Sequence, residues 1–122
     1  MTKIIQSNWE LAFKNDIKQK LLYAEKEYSQ YKQTGHIIYL QQSGNKLFSV
    51  VENWLMLKYK KRVRGYQQLV TIVSQNNNDS FLLAQSVQLH YFFYNGELQM
   101  SKQEAEIMFI NISRKMKQRI NL

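Results

Sequence analysis

The feature that most constrains this chain is an omission: its 122 residues contain no proline and only four glycines, at positions 35, 44, 65 and 96. Inside a helix, proline costs about 3 kcal/mol and glycine about 1 kcal/mol relative to alanine. Long helices can therefore run unbroken between a few widely spaced turns, and the chain reads as all-α. No linker and no internal repeat divides it, so residues 1–122 form one helical domain, long enough to bury a core unaided. Cysteine is absent and only two histidines occur, which excludes disulfides and thiolate metal sites; no metal and no cofactor is expected.

Apolar spacing predicts the elements. Phe13, Ile17, Leu21, Ala24, Tyr28 and Tyr31 recur every three or four residues, which predicts a first helix over residues 8–34, with Asn8 as its cap and Gly35 as its stop. A second helix is expected from about His36 into the basic run at residues 58–64, carrying Leu40, Leu47, Val50, Val51, Trp54, Leu55 and Met56. A glycine inside it, Gly44, costs helix propensity, so close approach of a neighbouring helix is favoured over a kink. A short third helix is expected over residues 66–74, with Leu69, Val70 and Val73 inward. Asp79 or Ser80 is then expected to cap a fourth helix bearing Phe81, Leu82, Ala84, Leu89, Phe92 and Phe93, which Asn95 and Gly96 end. Ser101 and Glu104 have capping-box spacing at the start of a last helix, with Ala105, Met108, Ile112 and Met116 on one face and an end near Ile120. This gives a bundle of four or five antiparallel helices.

Residues 1–6 are too short an apolar stretch for a secretory signal, and the apolar run at residues 50–57 is broken by Glu52 and Asn53, so no membrane span is expected and the protein is assigned to the cytoplasm. Seventeen Lys and Arg against nine Asp and Glu leave a net charge of +8, which attracts polyanions. The densest cluster runs from Lys58 through Lys60, Lys61 and Arg62 to Arg64. Such cations either complement the end of a helix or engage several phosphates, with Tyr59 or Tyr66 available to stack on an unpaired base. His90 sits in an aromatic run, where structural use competes with general acid or base chemistry; His36 reads as a turn residue. No paired-acid, phosphate-loop or Ser/His/Asp pattern is present.

The stretch Leu40-Gln41-Gln42-Ser43-Gly44-Asn45-Lys46-Leu47-Phe48-Ser49-Val50-Val51-Glu52-Asn53 resembles the second helix of HEPN domains, particularly their archaeal paREP-type branch. Leu89-His90-Tyr91-Phe92-Phe93-Tyr94-Asn95-Gly96-Glu97 looks like that branch's Leu-His-x-x-Phe-Tyr-x-Gly segment before the final helix. The resemblance implies a helical bundle, a homodimer, and a cleft serving RNA or a nucleotide. Many HEPN proteins are ribonucleases of toxin–antitoxin or defence systems, with an Arg followed one to two helical turns later by a His. Here the residues at that distance from Arg62 and Arg64 are Gln67, Gln68, Leu69, Val70 and Thr71, so Arg64 is retained and the imidazole is not.

The expectation is accordingly a non-catalytic HEPN-like protein that binds RNA or a nucleotide through Lys58, Lys60, Lys61, Arg62 and Arg64, with Tyr66 beside them and Asn45 and Asn53 lining a polar cleft. One alternative is a ribonuclease toxin using His90 with Arg64, for which the resemblance implies a nucleotidyltransferase antitoxin as partner. Another is a module that only binds a partner protein.

Overall fold

The structure, a computed structural model, describes residues 8–120. The signal and N-terminal readings at residues 1–6 lie outside the described residues. Among the described residues there are five helices, α1 (Asn8–Thr34), α2 (Ile37–Tyr59), α3 (Tyr66–Val73), α4 (Asn77–His90) and α5 (Lys102–Ile120). A two-stranded hairpin, β1 (Phe93–Tyr94) and β2 (Glu97–Leu98), separates α4 from α5. The fold is all-α, as the scarcity of breakers requires.

Cross-helix contacts give the topology. Lys46 pairs with Glu27, Lys20 bonds Ser49 at 2.9 Å, Asn53 bonds Asp16 at 3.3 Å, and Lys60 pairs with Glu10 at 2.9 Å. Numbers fall along α1 as they rise along α2, so the two are antiparallel across the turn at Gly35. On the other side of α2, Asn45 meets His90 and Lys58 meets Asp79, which makes α4 antiparallel to α2. Lys32 with Glu106 and Lys117 with Glu25 set α5 antiparallel to α1. The four long helices thus run up, down, up, down, with α2 central.

The core follows the predicted stripes. Ile17, Leu21 and Ala24 of α1 pack with Leu40, Leu47, Val50, Val51 and Leu55 of α2 and with Ala105, Ile112 and Met116 of α5, all nearly inaccessible. Phe109, absent from the expected stripe of α5, is also buried and stacks on Tyr28 at 4.4 Å. At Gly44 a β-carbon would meet both the side chain and the carbonyl oxygen of Leu89 at 3.2 Å. Close helix approach is therefore what Gly44 provides.

Four expectations need correction. Helix α2 ends at Tyr59, where Lys60 takes a left-handed conformation (φ 57°), and residues 61–65 form an irregular connection, so most of the basic run is loop. Helix α4 starts one turn early, because Asn76 is its cap and accepts a hydrogen bond from the Asp79 amide at 3.0 Å. The buried stripe of α4 is Leu82, Leu83, Ser86 and Leu89; Phe81 and Ala84 face outward, as does Val70 on α3. Asn95 and Gly96 do not end α4: with φ of 53° and 77° they form the two-residue turn of the hairpin, which needs positive φ at both positions. No helix among the described residues is long and apolar enough to cross a membrane.

Candidate nucleic-acid interface

The basic run divides into two parts. Lys58, on the last turn of α2, pairs at 2.6 Å with Asp79, which is 2% exposed and also accepts the Tyr59 hydroxyl at 2.6 Å. Burial first, and then the hydrogen bond to Asp79, pushes the Tyr59 phenol up to about 12. Lys60 is held by Glu10 at 2.9 Å. These two cations tie the end of α2 to α4 and α1 through ion pairs. Lys61, Arg62 and Arg64 are exposed and have no ion pair among the described residues. Leaving the helix lifts them clear of the carboxylates that neutralise their neighbours.

Tyr66 opens α3 immediately after this loop and lies 6.3 Å, ring to ring, from Phe48 of α2. Phe48 stacks at 4.7 Å on His90, which meets Tyr91 edge-on at 4.5 Å, and Tyr91 in turn contacts Tyr94. The basic loop therefore borders an aromatic strip that ends in exposed Tyr91 and Tyr94. Burial first, then the Glu52 carboxylate, raises the Tyr66 phenol.

Asn45 and Asn53 do not share a cleft. Asn53 faces α1 and bonds Asp16, whereas Asn45 faces α4, its carboxamide oxygen 2.7 Å from His90 Nδ1. That oxygen only accepts, so Nδ1 carries the proton and Nε2 keeps the lone pair. Burial lowers the imidazole below its ordinary 6.5, so the ring is neutral at pH 7. A neutral ring whose Nε2 has no hydrogen bond among the described residues can take a proton, but its partners are Asn45, Phe48 and Tyr91, and no contact among the described residues joins it to Arg64.

Sequence reasoning missed a second basic feature. Between α1, α2 and α5 lies a groove of about 580 Å³. Leu11, Trp54, Leu57 and Ile120 supply its apolar lining, and Lys14, Lys18, Lys58 and Arg119 its charge. Lys58 Nζ and Arg119 Cζ sit 5.3 and 5.5 Å from the Trp54 ring centre. Lys14 and Lys18 have the spacing of one helix face, but nothing in the sequence joins that face to Trp54 or to Arg119. No group of His, Cys, Asp and Glu among the described residues could hold a metal.

The fold and this surface define a helical bundle in which, among the described residues, Lys61, Arg62 and Arg64 stand without an ion pair after α2 and Lys14, Lys18 and Arg119 without one beside the Trp54 groove. Comparison with protein-family models, with curated proteins and with solved structures finds no match.

Proposed function

We propose that this protein is a HEPN-like, cytoplasmic RNA-binding protein that holds a single strand, or the phosphates of a nucleotide, on the loop between α2 and α3 without cleaving it. One observation carries this reading: Lys61, Arg62 and Arg64 stand exposed, with no ion pair among the described residues, beside the aromatic strip that begins at Tyr66 and Phe48. Cations that release counterions from phosphates supply affinity, and aromatic faces add stacking that tolerates any base.

The test is binding of a labelled single-stranded oligoribonucleotide across a salt series. With about three phosphates neutralised, log affinity falls against log salt with a slope of about −2. Replacing Lys61, Arg62 and Arg64 by Gln weakens binding and flattens that slope. Unchanged affinity and slope in the triple variant would show these cations to be solvated charge only.

A ribonuclease reading is favoured by one feature, the neutral His90 with its free Nε2. It requires that RNA be cut by the wild type and spared by His90→Ala. Binding without cleavage in both retains the non-catalytic reading.

A further inference from the structure

The groove beside Trp54 combines two properties. Its lining is largely apolar, and Leu11 at its rim is 53% exposed, so hydrophobic surface is held open to water. Around that surface stand four cations, and none of the described lining residues is a carboxylate. Lys58 is already neutralised by Asp79, but Lys14, Lys18 and Arg119 have no ion pair among the described residues. Arg119 uses one guanidinium nitrogen, at 3.4 Å to the Lys115 carbonyl, and its remaining donors are uncommitted among the described residues.

We infer that this groove binds a single-chain amphiphilic anion, a fatty-acyl carboxylate, with its chain along Leu11, Trp54, Leu57 and Ile120 and its head among Lys14, Lys18 and Arg119. The volume is that of a small-molecule site, and the guanidinium fork matches a carboxylate. A nucleobase fits the same space worse. Its ring nitrogens and exocyclic groups would lose their hydrogen bonds to water, and among the described lining residues only the Asn15 carboxamide and the donor-only Trp54 indole N–H are neutral polar groups able to replace any of them. A hydrocarbon chain makes no such demand. This inference is independent of RNA binding by the loop.

The experiment uses the full chain carrying Trp9→Phe, which leaves Trp54 as the only tryptophan. Its fluorescence is followed on titration with dodecanoate below the micellar concentration, and in parallel with dodecyltrimethylammonium and with adenosine monophosphate. The expected result is a saturable change with dodecanoate at one molecule per chain, and none with the other two. Lys14→Gln, Lys18→Gln and Arg119→Gln combined, with helical circular dichroism retained, should weaken dodecanoate at least tenfold. The triple Gln variant of the α2–α3 loop should bind it normally. The inference is overturned by the absence of saturation, by equal binding of the cationic amphiphile, or by a preference for adenosine monophosphate. Because the ligand comparison needs only the Trp9→Phe chain, it decides the matter even if the triple groove variant does not fold.

Discussion

Asn45 of α2 and His90 of α4 are joined by a 2.7 Å hydrogen bond one residue beyond the point where Gly44 lets Leu89 approach within 3.2 Å of a would-be β-carbon. The polar contact and the close backbone approach belong to one helix crossing. His90 therefore serves first to fix how α4 lies on α2, and whatever chemistry its Nε2 offers depends on that crossing.

Protonation of His90 opposes this arrangement. Burial depresses its pKa below 6.5, so the folded state binds this proton less tightly than the unfolded state does. The stability contributed is fully present above about pH 6.5 and is lost as pH falls through the lower, folded-state value. Proton NMR of the ring should give a midpoint under 6.5, and urea unfolding between pH 7 and 5 should show this loss. In His90→Gln that part of the pH dependence should vanish.

Gly44→Ala should be destabilising, although alanine is the better helix former. The gain in propensity is up to about 1 kcal/mol, whereas overpacking costs about 1–3 kcal/mol. One of the atoms met at 3.2 Å is the Leu89 carbonyl oxygen, which moves only if the end of α4 moves. A net loss of about 1 kcal/mol in urea unfolding is expected. A variant as stable as the wild type would mean that α4 shifts freely at this crossing.

Asp79 is the anchor of the α2 end, because its buried carboxylate accepts from both Lys58 and Tyr59. Asp79→Ala leaves both donors without that acceptor and should cost about 1–3 kcal/mol in stability. The Tyr59 phenol, held at about 12, should then titrate lower in an alkaline absorbance titration. It should not return fully to 10.0, because burial is the larger cause of its elevation.

Ser101 caps α5 in a variant of the expected form. Its hydroxyl oxygen accepts from the Glu104 amide at 3.0 Å while the hydroxyl donates to the Glu104 carboxylate at 3.1 Å. Ser101→Ala should therefore cost about 1 kcal/mol. Glu104→Ala, which leaves the amide bond to Ser101 in place, should cost less; equal losses in chemical denaturation would show that the carboxylate contact matters as much as the cap.

Helices α1 and α5 are legible in the sequence because their ends carry local signals and their stripes repeat at the helical period. The stripe from Ile17 to Tyr31 needs no knowledge of its neighbours, nor does the cap at Ser101. The segment from Phe92 to Leu98 misleads for an equally local reason. Asn-Gly reads both as a helix stop and as a hairpin turn, and the chain takes the hairpin where Phe92 is buried in the core just after α4, a burial that the local sequence does not show.

The candidate sites divide along the same line. That the chain is basic, and that residues 58–64 are its densest cluster, follows from composition alone. Which of those cations are available does not, because Asp79 and Glu10 neutralise Lys58 and Lys60 from other helices. The Asn45–His90 bond and the Trp54 groove likewise join residues from distant parts of the chain. Propensity, capping and periodicity act over one or two turns and are written into the local sequence, whereas ion pairing, desolvation and groove formation depend on which helices meet, and only tertiary packing decides that.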